Sequence, residues 1–223
     1  MAPLIPSRFL FRFAIPVHEV TGIPRKGSKT ESEGLLNLPS NCALPDFSEF
    51  DQQTSFAEIR LAWNEAGLGI SAIVNGRKTP PAGNPENSWS SDSLHLWIDT
   101  RNTQTIHRAG RFCHHFAIVP TAGKKSRPGL SIRQWAIPRA REESPLADPE
   151  TFQGSYTQLP NGYRLEAWIP AEALQGFDPD SYRRLGFYYY LRDSELGEQF
   201  LSVNQEFPFA TDPSLWWTLE LNS

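Results

Sequence analysis

The sequence predicts an all-β protein: a single domain over residues 1–223, folded as an antiparallel two-sheet β-sandwich of the jelly-roll kind. Three observations predict it. Apolar and polar residues alternate with a period of two along most of the chain, which turns one side of an extended segment towards a core. Helical periodicity is confined to one short stretch, "PAEALQGF" (170–177), where Pro170 suits a first helical position and Gly176 a stop. Nineteen prolines and fifteen glycines fall mostly between the alternating segments, as turns require.

The elements follow in chain order. In "RFLFRFAI" (8–15), Phe9, Phe11, Phe13 and Ile15 share a face opposite Arg8 and Arg12. "FAEIRLAW" (56–63) places Ala57, Ile59, Leu61 and Trp63 inward, "NEAG" turns the chain, and "LGISAIV" (68–74) returns. That is a hairpin. "SLHLWID" (93–99) turns Leu94, Leu96 and Ile98 inward and leaves Ser93, His95, Trp97 and Asp99 facing water. Further strands fit residues 111–119, 130–137, 163–169, 184–192, 199–203 and 215–221. Residues 21–55 and 75–91 are polar connections, and the second carries Trp89. A chain of 223 residues can bury such a core without disulfides.

Charge and composition narrow the function. The formal net charge is −4, without a basic excess, which argues against a nucleic-acid partner. No apolar run approaches the roughly 20 residues that cross a bilayer, so no membrane partner is expected. Arg8 and Arg12 interrupt what would be the apolar centre of a signal peptide, and Cys42 and Cys113 are read as free thiols, so a cytoplasmic location is expected.

The segment "IHRAGRFCHHF" (106–116) poses the main chemical question. On a strand, Arg111, Cys113 and His115 share one face and His114 the other. A zinc site would need four ligands from Cys, His or carboxylate, and none of the familiar spacings is present. A decorated strand using His115 and Arg111 for hydrogen bonds is therefore preferred over a His/Cys metal site or a cysteine nucleophile. Asp92 and Asp99 flank one strand about 23 Å apart and cannot act as a glycosidase pair. Seven tryptophans and six tyrosines exceed the needs of the core. Rings beside amides, carboxylates and histidines suit a saccharide, whose C–H faces stack while its hydroxyls bond, or a protein partner.

Four blocks carry a resemblance: "FAEIRLAWNEAGLGISAIVNG", "WSSDSLHLWID", "YRLEAWIPAEAL…GFDPDSYRRLGFYYYLRD" and "DPSLWWTLEL". Over about residues 56–221 the chain resembles family 9 carbohydrate-binding modules and the related DOMON-like sandwiches. The resemblance implies a non-catalytic module that grips a sugar between two aromatic rings, with structural calcium in many members. Trp89 matches the first ring. His95 stands where the family often has a sugar-contacting glutamate, and Trp97 lies on the same face. The second ring falls in "FPFATDP", so Phe207 or Phe209 would supply it. Asp99 is the nearest calcium candidate, and with Met1 the only methionine, a haem ligand is not supplied.

Overall fold

The structure, a computed structural model, describes residues 11–25, 34–51, 55–121 and 129–223. Among them are eleven strands: β1 (Ala14–Glu19), β2 (Ala57–Asn64), β3 (Gly67–Asn75), β4 (Ser93–Asp99), β5 (Cys113–Thr121), β6 (Gly129–Trp135), β7 (Gln153–Leu159), β8 (Gly162–Pro170), β9 (Arg184–Asp193), β10 (Gly197–Phe200) and β11 (Trp217–Asn222). Helical structure among the described residues is limited to 3-10 turns. The protein is all-β, as the alternation requires.

The expected division into two sheets is not what the hydrogen-bond ladder shows. One path runs β6-β5-β4-β9-β11-β1-β2-β3-β8-β7, with β10 paired to β9 beside it. β1 joins the halves. It runs parallel to β11 from Ala14↔Thr218 to His18↔Asn222, and parallel to β2 at His18↔Ala62 and Glu19↔Trp63. The two ends of the path, β6 and β7, lie against one another, so the sheet curls almost closed. Gly154 of β7 permits that approach, because a Cβ there would stand 2.8 Å from Leu130 and 2.9 Å from Ile132 of β6. One apolar core fills the interior, mixing Leu94, Leu96, Phe116 and Ile118 from one half with Ile59, Leu61, Ile70 and Leu165 from the other.

Three expectations need correction. Residues 8–10 of the first expected strand lie outside the described residues, and the strand begins at Ala14, where β11 first offers a ladder partner. Ile15 and Val17 are its buried residues, while Phe11 stays exposed and Phe13 stacks on Phe47 at 4.6 Å. The short helix expected over 170–177 is a single 3-10 turn, Ala171–Ala173. Pro170 ends β8, the Ala171 N–H is committed to the Ala66 carbonyl at 2.8 Å, and Gly176 has left-handed φ of 81°. β7, "QGSYTQL", was not expected at all, because an edge strand this polar lacks the alternation that marks the others.

The connection from β3 to β4 bears Trp89, and a buried ion cluster anchors it. Arg77 lies with Nη2 3.0 Å from Asp92 Oδ2 and Nη1 2.6 Å from Asp193 Oδ1, all three side chains being buried. The Tyr163 hydroxyl donates to Asp193 at 2.9 Å. Backbone N–H groups of Ala82 and Ser194 donate to Asp92, and those of Glu195 and Leu196 to Asp193. Burial opposes the guanidinium charge, but Asp193 and Asp92 more than offset it and raise the Arg77 pKa above its ordinary value. Two buried carboxylates thus share one cation and four amides. Arg77→Met would leave both without counter-charge. We expect urea denaturation to show a loss of about 3–5 kcal/mol, partly restored in the Arg77→Met/Asp92→Asn/Asp193→Asn protein; a single variant within 1 kcal/mol of wild type would contradict this role.

Candidate ligand-binding site

β4 was expected to turn Ser93, His95, Trp97 and Asp99 towards water. Instead every residue of β4 is buried. The chain after β10 roofs that face. Phe209 stacks on Tyr188 at 4.6 Å and meets the edge of Trp97 at 5.4 Å. The Trp216 indole donates to the Phe209 carbonyl at 2.7 Å, and the Tyr188 hydroxyl donates to the Val203 carbonyl. A second dry layer therefore lies outside the main sheet.

Pairing register organises the rings beneath the roof. Trp97 stands between His115 of β5 and Tyr188 of β9, and His95 between Ala117 and Tyr190. Trp97 and His115 are parallel at 4.5 Å and 1°. His95 Nδ1 and His115 Nε2 are 2.9 Å apart, so one ring donates and the other accepts. Burial lowers the His95 pKa to about 4. Burial, then the neighbouring His95, lowers that of His115. Both rings are neutral at pH 7. The Trp97 Nε1 atom has no hydrogen-bond partner among the described residues. An unpaired buried donor costs about 1–3 kcal/mol, whereas burying an indole of 150–250 Å² is worth roughly 4–6 kcal/mol. Packing wins.

Trp89 sits at the edge of this stack. One indole face lies on His95 at 4.5 Å and 25°, yet the residue remains 44% exposed. Its loop is closed by short bonds: the Gly83 N–H donates to the Pro120 carbonyl at 3.0 Å, the Asn84 N–H to Ser91 Oγ at 2.8 Å, and Ser93 Oγ to the Ser88 carbonyl at 2.6 Å. Trp89 and Trp135 both line a cleft of about 260 Å³, together with His115, Glu86, Asn87 and Ala210. Trp135, the last residue of β6, pairs with His115 and is 36% exposed. Arg133 and Glu86 form an ion pair at 2.8 Å nearby.

Of the residues singled out in the sequence, Trp89 and His115 meet in this cleft. His95 lies behind Trp89 and supports it, and Trp97 is wholly buried under the roof. Phe209 is buried as well, and Phe207 is half-buried without lining the cleft. Neither phenylalanine lines this cleft; the second exposed ring that does is Trp135, and the sequence carried a signal for it: in "LSIRQWAI" it falls on the polar face with Ser131 and Arg133. Arg111 precedes β5 and lines a separate cleft.

Carboxylates and thiol are occupied by the fold. Asp99 Oδ1 accepts from the Arg101 N–H at 2.9 Å and Oδ2 from the Thr103 N–H at 2.6 Å, closing the turn after β4. Both oxygens thus serve that turn, and no group of three His, Cys, Asp or Glu suited to a metal ion occurs among the described residues, around Asp99 or on β5. Burial, reinforced by Asp99, pushes the Cys113 thiol up to about 12, far from a nucleophile's range. Glu166 accepts the Leu35 and Asn37 N–H groups at 2.7 and 2.8 Å.

Two solved structures share this fold. A family 9 carbohydrate-binding module from Caldicellulosiruptor kristjanssonii, solved with cellotriose, aligns with a TM-score of 0.55 at 19% identity, covering 95% of this chain and 94% of that one. A structure of a family 9 module from the same organism, solved with glucose, aligns at 0.54 and 17% identity, covering 95% and 96%. No protein-family model and no curated protein matches the chain.

The buried imidazoles set a pH dependence. His95 and His114 have pKa values lowered by burial to about 4, and His115 is lowered too. The unfolded chain takes up these protons near pH 6.5, the native one only near 4 at His95 and His114 and well below the ordinary value at His115, so stability falls as pH drops below 6.5. Asp99, whose pKa burial raises, acts in the opposite sense. Stability from urea denaturation is expected to decline from pH 7 to 4.5, and His114→Gln to flatten the slope by up to about 1.4 kcal/mol per pH unit. A flat wild-type profile would refute the neutral stack.

Proposed function

We propose that the protein is a non-catalytic carbohydrate-binding module whose ligand seats in the Trp89–Trp135 cleft. In this reading the two halves of the sheet act as the layers of a jelly-roll-like sandwich joined along β1. The observation that carries it is the pair of exposed indoles in one cleft, of which Trp89 is held from behind by a neutral, buried imidazole. A sugar's C–H face stacks on such a ring, while its hydroxyls find Glu86 and Asn87 at the rim. A preformed platform spares the ligand the cost of ordering it. At about 260 Å³ the cleft is below the usual range for drug-sized ligands and fits a short saccharide segment. The fold's likeness to modules solved with cellotriose and glucose supports the same reading.

Calorimetric titration with cello-oligosaccharides tests it. Trp89→Ala and Trp135→Ala are each expected to weaken binding by about tenfold or more, roughly 1.4 kcal/mol, while Phe207→Ala stays within about twofold. Undiminished affinity in both tryptophan variants, or no saccharide binding by the wild type, would overturn the assignment.

A further inference from the structure

A second cleft, about 450 Å³, carries opposite chemistry to the chain as a whole. Its lining includes His107, Arg108, Arg111, Phe112, Arg141 and Glu142. Three guanidiniums face one carboxylate there, on a protein whose formal charge is −4. The cleft is built, not merely decorated. The Arg141 N–H donates to the Ala109 carbonyl at 2.7 Å, and Arg108 donates from Nε to the Arg139 carbonyl at 2.9 Å and from Nη2 to that of Ala140 at 3.3 Å. Arg139 adopts left-handed φ of 58° to turn that carbonyl inward. These bonds stitch residues 106–111 to residues 137–142.

The arginines keep donors to offer. Arg141 has no side-chain partner among the described residues. Arg111 Nη2 meets Glu142 Oε1 at 2.8 Å, but both side chains are 51% exposed, and such a pair exchanges readily for another anion. A guanidinium's planar fork suits a carboxylate or a sulfate ester.

Short stretches of chain run from the lining of one cleft to that of the other. Ala136 and Pro138 line the aromatic one, and Arg141 and Glu142 the basic one. Pro138 and Arg141 are three residues apart, at most about 11 Å along the chain. The segment from Ala210, in the first cleft, runs to Asp212 and Ser214, which hold His107 of the second at 3.1 Å each. The carboxylate nearest the aromatic cleft, Glu86, is already paired with Arg133.

We infer that the ligand is an acidic saccharide, with one sugar ring on the indoles and a neighbouring ring's anionic group held by Arg111 and Arg141. This rests on the saccharide reading above. The test compares cellopentaose with cellopentaose oxidised at C6 to carboxylates, and with its sulfated counterpart, by calorimetry in 20 and 200 mM NaCl. One or both anionic forms is expected to bind about tenfold tighter than the neutral one at low salt, with the advantage shrinking at high salt. Which form is preferred assigns carboxylate or sulfate as the source. In Arg111→Gln/Arg141→Gln, folded by its thermal transition, the preference is expected to vanish while neutral cellopentaose binds as before. Equal affinities for all three in the wild type, or a preference that survives the double substitution, would overturn this inference alone. Absence of binding by every form would overturn it together with the saccharide reading.

Discussion

The rest of the site depends on a stack of neutral rings kept dry between the sheet and its roof. His95 and His115 share a hydrogen bond under Trp89 and against Trp97. In water these imidazoles would titrate near neutrality. Under Phe209 and the residues after β10 they stay uncharged, so the stack carries no buried charge that would need a counter-ion. Only the outermost ring, Trp89, keeps a face to solvent. Four rings, His95, Trp97, His115 and Tyr190, lie within 5.9 Å of that one ring and hold it in place.

A ring is useful to a ligand only if its backbone does not wander, and here the ion cluster matters. Arg77, Asp92 and Asp193 lie at the two ends of the Trp89 connection and at the end of β9, with Tyr163 reaching in from β8. Such a cluster is weak evidence for net stability, since burying charge costs about what pairing returns. Its value is positional. It fixes where the connection leaves β3 and re-enters β4, while the bonds from Gly83, Asn84 and Ser93 fix the path between. Polar residues that read as a loose surface loop in the sequence are thus tied down almost one by one.

Most strands were legible because period-two alternation in the sequence marks an extended segment with one apolar face. β2 shows it in its burial from Ala57 to Leu61, whereas β3, β8 and β9 are buried on both faces for most of their length. The same rule misplaced His95 and Trp97. Alternation says which residues share a face, not whether the other face meets water, and a roof from residues 201–216 lies more than a hundred positions away. β7 escaped notice because its partners, not its composition, make it a strand. Phe207 or Phe209 was expected as a second ring on the strength of a block order in the sequence, yet neither lines the cleft of Trp89. Trp135 does line it, brought there by its register with His115 rather than by any local motif.

The most direct measurement of the central claim is the set of indole N–H signals in a heteronuclear NMR spectrum during titration with cellotriose. Signals of Trp89 and Trp135, assigned by single substitution, should move with saturation, while those of Trp97 and Trp216 stay in place. Movement confined to the buried tryptophans, or to none of the seven, would contradict a cleft floored by the histidine stack.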